Sequence, residues 1–394
     1  MCYFLKPVFS LLIASCLCYN INAQEDKKPR ARDLGIPFSG TPGTFNSITD
    51  VPGLLVGYKT LIAGEGKLQP GKGPVRTGVT VILPKGKSND SYAAAWFNLN
   101  GDGEMTGLPY VEDYGTSSGP IGITNTYSVG VVRDAIGEWS YKNFSEQDLI
   151  DFSFGLPVVA ETWDGLLNDI NGFHVQKEHV FEALDGAKGG SVAEGNFGGG
   201  TGMALYGYKG GNGSASRIVY INGKDYTVGV FIQANFGGMN ELTIAGVPVG
   251  KELDGPRPVL HNPKRKDGSA IVIVATDAPL TPNQLKHLAK RVTHGIARTG
   301  TISHDSSGEI FMAVSTSVPE YNEDYTMEKW EVIPKWHLNA LYEATVEATE
   351  EAVINVLVAA EDMKGINDNI FYAIPHSKLQ EVLRKYNRLE EVKK

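Results

Sequence analysis

The sequence predicts an α+β fold in which two β-sheets pack face to face and helices cover the outer faces. Short segments rich in β-branched and apolar residues recur along the chain and are separated by glycine. Helical patterns occur in pairs around these segments. The 46 glycines among 394 residues indicate tight loops and close backbone contacts, which argues against a helical bundle.

The strand patterns begin after residue 47 and continue to residue 316. Most are runs of five to nine residues bounded by glycine, proline or asparagine. The segment that follows residue 268 has no polar alternation, so it reads as a strand buried on both faces. Strands are predicted at 54–58, 78–83, 92–97, 122–126, 157–165, 226–233, 269–276 and 310–316.

Five segments have helical patterns. The clearest begins at Thr281-Pro282, a favourable N-cap followed by a first-turn proline, and places apolar residues on one stripe. The segment 338–362 is alanine-rich and reads as a long amphipathic helix. The helices are predicted at 128–140, 177–187, 281–298 and 338–362, with a short final helix capped by Ser377.

Composition excludes several classes of protein. The formal charge is −9 and the Lys/Arg-rich segments 27–32 and 264–266 are short, so nucleic acid is not an expected partner. Beyond the N-terminus, no uninterrupted run of 18 apolar residues predicts a membrane span. There is no internal repeat and no boundary stronger than the loop 239–268, so 41–394 is predicted to form a single domain.

The N-terminus has the pattern of an export signal. Residues 1–23 combine a positive charge at Lys6, an apolar core and a cleavage site after Ala23. Residues 13–16 also resemble a lipobox, so lipidation of Cys16 stays open. An exported, periplasmic protein is predicted, with 24–40 as an exposed lead-in. All three cysteines lie in this signal, and a chain cut after Ala23 has no thiol or cysteine-based metal site.

Ser269 begins the buried strand directly after the turn residues Asp267 and Gly268. One interpretation is an ordinary turn before a strand. The other is a bond that breaks before Ser269, because its hydroxyl could attack the Gly268 carbonyl. The new α-amine, with an unperturbed pKa of about 7.7–8.0, would then be the nearest base.

Other catalytic and binding motifs are missing from the sequence. The glycine-rich segment 195–202 lacks the lysine of a phosphate-binding loop and the spacing of a dinucleotide fingerprint. The eight histidines are scattered, without the pattern of a Ser-His-Asp triad or a His-Glu-x-x-His zinc site. No metal or other cofactor is expected.

Several segments together resemble one family. From about residue 38 to 379 the chain is similar to the β-peptidyl aminopeptidases and L-aminopeptidase/D-esterases, which are autoproteolytic hydrolases with an N-terminal serine. The resemblance also rests on Glu161-Thr162-Trp163, Asn235, Ser269 and Ser307-Gly308-Glu309. The other matching segments are 48–53, 100–107, 123–126, 195–202 and 275–280.

The resemblance implies a four-layer αββα sandwich like that of N-terminal-nucleophile hydrolases, with different strand connectivity. It implies self-cleavage between Gly268 and Ser269 into an α chain (24–268) and a β chain (269–394) that stay associated. It also implies a homo-oligomer that removes N-terminal residues from short peptides, amides and esters without a metal. Whether the substrates carry β-, D- or L-amino acids is open, as is the oligomer number.

The resemblance assigns roles to the site residues. Ser269 is the nucleophile, and Asn235 donates to the tetrahedral oxyanion. Ser307 and Glu309 form a hydrogen-bonded relay, although Ser306 is adjacent and some relatives have aspartate at position 309. Taken alone, these residues also fit a turn asparagine, a capping serine and an edge glutamate.

Glu161 and Trp163 are the predicted substrate-binding residues. Glu161 ends a strand and binds the substrate's ammonium group, and Trp163 walls the same pocket. Some relatives have tyrosine at 163, so a catalytic part for this position is open. Two other classes also stay open, namely an acyltransferase, revealed by added amine acceptors, and a binding protein, revealed by an intact chain.

Overall fold

The computed structural model describes residues 28–144, 155–261, 268–317, 319–321 and 326–391. The predicted export signal with its three cysteines lies outside the described residues. So do residues 24–27 of the lead-in, the basic run 264–266 and Asp267.

The strands are numbered in chain order within the described residues. They are β1 Leu55–Ala63, β2 Val75–Leu83, β3 Ser91–Gly101, β4 Thr116–Ser118, β5 Ile121–Thr124, β6 Val158–Glu161, β7 Ala204–Leu205, β8 Tyr208–Lys209, β9 Gly211–Ile221, β10 Lys224–Asn235, β11 Gly268–Thr276, β12 Ser307–Ser315, β13 Glu320–Tyr321, β14 Glu328–Lys329, β15 Met363–Lys364 and β16 Ile370–Phe371.

The helices of the described residues are α1 Leu108–Tyr114, α2 Val129–Phe144, α3 Lys177–Asp185, α4 Val249–Glu252, α5 Pro282–Ala297, α6 Leu338–Ala359 and α7 His376–Lys385. In the part of the chain that the structure describes, no helix is both long and apolar enough to cross a membrane.

Two sheets form the centre of the fold. The large sheet has the strand order β4-β3-β12-β11-β10-β9, and the small sheet has the order β1-β2-β5-β6. Most neighbours are antiparallel, but β11 pairs in parallel with β12, and β5 with β6. The inner faces of the two sheets meet in an apolar core that includes Ile82, Ile123, Ile271 and Ile310.

Helices cover both outer faces. α2 and α3 pack on the small sheet through residues such as Val132 and Leu184, and α5 and α6 pack on the large sheet through residues such as Leu288 and Val353. The molecule therefore has four layers in the order helix, sheet, sheet, helix. The predicted αββα sandwich is confirmed.

The predicted main elements are largely present. The N-cap Thr281 accepts a hydrogen bond from the Gln284 amide, and α5 begins at the next residue, Pro282. Helix α6 begins at Leu338 as predicted. Its first half has an exposed stripe that includes Asn339 and Glu343, but 351–359 is buried on all sides, so the amphipathic interpretation holds only for the first half. The predicted cap at Ser377 is also wrong, because α7 begins at His376 after Pro375.

Strand β9 is absent from the sequence prediction. Its first seven residues are glycine, serine, alanine, asparagine and arginine, which carry no hydrophobic alternation. The strand is nevertheless buried because α6 lies directly on it. At Gly213 an added Cβ atom would lie 2.1 Å from the backbone oxygen of Ala352, so the small residues allow this close approach.

The described part of the lead-in is not exposed, which corrects the prediction for 24–40. Ala31 and Ile36 are buried against the helix layer of the large sheet. The guanidinium group of Arg30 forms an ion pair with Glu194, and that of Arg32 forms one with Glu351 on α6. The short polar segment is held because its charges pair with buried carboxylates.

The loop 239–268, which the sequence offered as the strongest candidate boundary, packs against the rest of the molecule in its first half. Its first half contains α4 and places Leu242, Ile244, Val247 and Val249 in the core beside the large sheet. These residues are apolar but too widely spaced for a helix or strand pattern, so the sequence did not reveal their burial.

The contact between α6 and β9 can be tested with alanine at two glycines. We expect Gly213→Ala to destabilise the protein by about 1–3 kcal/mol, because the new methyl group meets backbone atoms that cannot move independently. Gly137→Ala is the matched control. Gly137 lies within α2 with no atom near its added Cβ, so alanine there should stabilise the helix by about 0.5–1 kcal/mol.

Thermal unfolding midpoints of the two variants measure both effects. A midpoint for Gly213→Ala at or above that of the wild type would show that α6 does not need a glycine beneath it.

Candidate active site

Three strand ends meet at one edge of the large sheet. Asn235 is the last residue of β10, Ser269 is the second residue of β11, and Ser307 and Glu309 lie at the start of β12. The register pairs Ser269 with Asn235 on one side and with Gly308 on the other. Because β10 is antiparallel and β12 is parallel to β11, the predicted residues converge although 74 positions separate the first from the last.

The backbone of Trp163 connects Ser269 to Asn235. The Trp163 amide donates to Ser269 Oγ over 3.3 Å, and the Trp163 carbonyl accepts from Asn235 Nδ2 over 2.7 Å. On its other side, Asn235 Oδ1 accepts from the Ala204 amide over 2.9 Å. Ser269 and Asn235 are both buried. The amide NH2 of Asn235 therefore faces the nucleophile's side of the site.

Ser307 and Glu309 form a buried pair beside Gly268. The Ser307 hydroxyl donates to Glu309 Oε1 over 2.5 Å, and Glu309 Oε2 has no hydrogen-bond partner among the described residues. Burial raises the pKa of Glu309, and Ser307, Asn100 and His304 offset part of that rise. A Cβ at position 268 would lie 2.9 Å from Ser307 Oγ, so glycine lets the hydroxyl approach the backbone before Ser269.

Glu161 ends β6 of the small sheet and is 4% exposed. Its Oε1 accepts from the Glu104 amide over 3.1 Å, and its Oε2 accepts from the Thr126 hydroxyl over 2.5 Å. Burial raises its pKa, with smaller rises from Glu104 and Asp102, while the two hydrogen bonds act against them. Within the described residues, no basic side chain forms an ion pair with this carboxylate.

Glu161 belongs to the same site as Ser269. Gly103 lies between them, because its added Cβ would be 3.3 Å from Glu161 Oε1 and 3.4 Å from the Cα atom of Gly308, the register partner of Ser269. The predicted nucleophile, oxyanion donor, relay and ammonium-binding residue therefore surround one end of the sandwich. Their catalytic roles stay predictions.

The backbone of Trp163, and not its indole ring, makes the polar contacts with Ser269 and Asn235. Its indole ring packs over Gly165, where an added Cβ would be 2.4 Å from the ring. The side chain is half-buried. A cation–π contact between this ring and a substrate stays a prediction.

Further supporting residues come from segments to which the sequence assigned no catalytic or binding role. Thr126 holds Glu161, and Asn100 donates to the His304 carbonyl over 2.6 Å beside the relay. The glycine-rich segment 195–202 lies between the two sheets, where a Cβ on Gly199 would be 2.3 Å from Gln233 Oε1. Protein atoms fill the space around this segment, which leaves no room there for a phosphate group.

Across the residues that the structure describes, no group of three or more histidine, cysteine, aspartate or glutamate residues is arranged to hold a metal ion. The expectation of a metal-free mechanism stays a prediction.

Comparison with known proteins agrees with this arrangement. Residues 46–371 match the model of Peptidase family S58. The β-peptidyl aminopeptidase BapA of Sphingosinicella microcystinivorans is 48% identical over 98% of this chain and 99% of the relative. The BapA of Sphingosinicella xenopeptidilytica is 46% identical over 90% of this chain and 91% of the relative.

A solved structure of an aminopeptidase also matches this chain. The L-aminopeptidase D-Ala-esterase/amidase of Ochrobactrum anthropi, described as a variant of the Ntn-hydrolase fold, superposes with a TM-score of 0.85. It is 44% identical and covers 92% of this chain and 100% of its own. The chain therefore belongs to peptidase family S58 and is a serine-type aminopeptidase.

Proposed function

We propose that the protein cleaves itself between Gly268 and Ser269 and then uses Ser269 to remove N-terminal residues from short peptides, amides and esters. The names of its relatives, β-peptidyl aminopeptidase and L-aminopeptidase D-Ala-esterase/amidase, support substrates with β-, D- or L-amino acids at the amino terminus.

The buried carboxylate of Glu161 is the observation that carries this proposal. A buried charge is costly unless a partner compensates it, and the described residues offer only hydrogen-bond donors. Each carboxylate oxygen accepts one hydrogen bond and keeps capacity for another. A substrate's ammonium group supplies both the donor and the opposite charge. A free amino terminus is therefore what this site needs close to Ser269.

Self-cleavage needs only atoms that lie at the strand start. Ser269 Oγ attacks the Gly268 carbonyl carbon, the Gly268–Ser269 carbon–nitrogen bond breaks, and the hydroxyl proton passes to the departing nitrogen. Water then hydrolyses the resulting ester, which leaves a carboxylate on Gly268 and a free hydroxyl and α-amine on Ser269. The position of Gly268 beside Ser307 and the burial of Ser269 support this step.

The α and β chains would stay associated after the cut. The β chain contributes β11 and β12, and the large sheet holds both between β3 and β10 of the α chain. Their separation would expose backbone hydrogen-bonding groups and the core residues on both faces of these strands.

Catalysis would use the same groups again. Ser269 Oγ attacks the carbonyl carbon of the substrate's first residue, the new α-amine takes up the hydroxyl proton, and the Asn235 amide donates to the oxyanion. The bond after that residue then breaks, and the leaving amine or alcohol takes the proton from the α-amine. Ser307 and Glu309 orient the nucleophile and its amine through their short hydrogen bond. The acyl-enzyme that forms is then hydrolysed by water.

Export and assembly are part of the proposal. The pattern of residues 1–23 supports delivery to the periplasm, with lipidation at Cys16 as the alternative to cleavage after Ala23. A homo-oligomer is proposed on the resemblance to the family alone. Intact mass of the purified protein reports which processing event takes place.

Ser269→Ala should stay one uncut and inactive chain, because alanine has no hydroxyl to attack Gly268. Denaturing electrophoresis of the wild type should show two fragments, the smaller beginning Ser-Ala-Ile-Val by N-terminal sequencing. A cut after the basic run 264–266 is the control for contaminating proteases, since it leaves a different terminus. Cleavage of the alanine variant at the same bond would contradict self-cleavage by Ser269.

Glu309→Gln should fold and lose turnover. The amide keeps the size and can still accept from Ser307, but it lacks the negative charge that holds this hydroxyl and orients the nucleophile and its amine, so kcat should fall by about 10²–10⁴. In the wild type, kcat should fall as pH decreases through the raised pKa of Glu309, because the carboxylate is then lost. A Glu309→Gln enzyme with wild-type kcat would remove Glu309 from the mechanism.

Glu161→Gln should abolish the preference for a free amino terminus. Removal of one partner from a buried charge pair costs about 3–5 kcal/mol, which corresponds to roughly two to four powers of ten in rate. The measurement is the ratio of kcat/KM for a free and an N-acetylated aminoacyl amide. Glu178→Gln, an exposed carboxylate at the start of α3, is the control and should keep the wild-type ratio.

The two carboxylates are thereby compared under the same conditions. An unchanged ratio in Glu161→Gln would mean that another residue binds the substrate's amine.

A further inference from the structure

Lys209 is a buried lysine at the back of the site. Its side chain is 0% exposed and ends beside three backbone carbonyl oxygens. Nζ donates to the carbonyls of Met203 and Gly210, each over 2.8 Å, and to that of Gly200 over 3.4 Å. Three acceptors match the three N–H donors of an ammonium group, whereas a neutral amine would turn its lone pair towards one of these oxygens.

Burial of the Lys209 amino group carries a desolvation cost that no ion pair among the described residues offsets. Within the described residues no carboxylate lies at salt-bridge distance from Nζ, and burial lowers the pKa of this lysine well below its usual range. An apolar residue of similar size would avoid this cost. The hydrogen bonds of Nζ indicate the role of the amino group, because one of them holds a backbone peptide that contacts Asn235.

The Met203 carbonyl that Lys209 binds belongs to the peptide unit that holds Asn235. The Met203 carbonyl and the Ala204 amide are two ends of one planar group. The carbonyl accepts from Lys209 Nζ, and the amide donates to Asn235 Oδ1 over 2.9 Å. A hydrogen-bonded chain therefore runs from the Lys209 amino group through this peptide to the Asn235 side chain.

This chain determines which way the Asn235 amide faces. Since Oδ1 is occupied by the Ala204 amide, Nδ2 points to the other side, where it donates one hydrogen to the Trp163 carbonyl. The second hydrogen of Nδ2 is available on the side of Ser269, the register partner of Asn235. A shift of the Met203–Ala204 peptide would release the amide to rotate.

We propose that Lys209 is a positioning residue for catalysis, which holds the Met203–Ala204 peptide and through it orients the Asn235 amide towards the oxyanion. The inference rests on the proposed role of Asn235 as oxyanion donor. The ammonium group also polarises the peptide and, through it, the Asn235 amide, because hydrogen bonds in a chain strengthen one another. Negative charge on the oxyanion is then stabilised by a cation that never contacts the substrate.

The test is a double-mutant cycle between Lys209→Met and Asn235→Ala in the full-length protein. An aminoacyl p-nitroanilide with a free amine is the substrate, and kcat is expressed per Ser269 titrated with a covalent serine reagent. We expect Lys209→Met to lower kcat by about 10-fold to 100-fold with KM within about threefold, somewhat less than the loss of an oxyanion donor itself. In the Asn235→Ala background, Lys209→Met should lower kcat by less than about threefold.

Arg76→Met is the matched control for the loss of a buried cation. Arg76 is also buried and donates to backbone carbonyls, those of Ala63, Gly64, Val75 and Lys364. We expect it to lower the thermal midpoint about as much as Lys209→Met and to leave kcat within about threefold of wild type, since only Lys209 acts through Asn235.

The outcomes separate this inference from the proposed function. Wild-type kcat in Asn235→Ala would contradict the role of Asn235 itself. A large loss in Asn235→Ala with kcat preserved in Lys209→Met, or equal losses from Lys209→Met in both backgrounds, would overturn the role of Lys209 alone. If a variant does not complete self-cleavage, the rate of cleavage between Gly268 and Ser269 replaces kcat in the same double-mutant cycle. If Lys209→Met does not fold, Lys209→Gln, which keeps two N–H donors, takes its place.

Discussion

Backbone hydrogen bonds hold β11 between an antiparallel neighbour, β10, and a parallel neighbour, β12. This pairing brings the end of one strand and the starts of two others to the same edge of the large sheet. Ser269 consequently has Asn235 on one side and Gly308 on the other, with Ser307 and Glu309 beside it. A slip of one residue would turn the side chain of Ser269 to the opposite face of the sheet. Burial of both faces of β11 in the core keeps this register in place, because a slip would exchange the residues on the two faces.

Glycine and small residues make that register compatible with dense packing. α6 lies on the glycine and serine residues of β9, and the segment 195–202 passes between the two sheets with its backbone against strand atoms. The same segment leads into the Met203–Ala204 peptide that contacts Asn235. The tightly packed glycine-rich segment therefore fixes the position of the peptide that follows it and that binds Asn235. The segment supports the site in this way, although it binds no ligand in the proposed mechanism.

Glu161, Glu309 and Lys209 lie near the site and are buried without an ion-pair partner among the described residues. Glu161 and Glu309 have raised pKa values, and Lys209 has a lowered one, in each case chiefly because of burial. Hydrogen bonds offset part of the cost for each. For Glu161 the missing cation is the substrate in our proposal, and for Lys209 the missing anion is the oxyanion of the transition state. These groups share one electrostatic feature, a buried ionisable side chain without an ion-pair partner. Such groups are common where a protein binds or stabilises charge.

The sequence by itself determined the buried strand at Ser269 and the helices at 282 and 338, because periodicity and caps are properties of neighbouring positions. The site residues were predicted from the resemblance to the family, and their roles stay predictions. The sequence did not reveal β9 or the burial of Ala31 and Ile36, since these depend on what packs against them. Nor could it show that the Trp163 backbone connects Ser269 to Asn235, or that Lys209 lies behind Asn235. Only the tertiary structure decided these contacts, because they join residues far apart in the chain through backbone atoms that every residue carries.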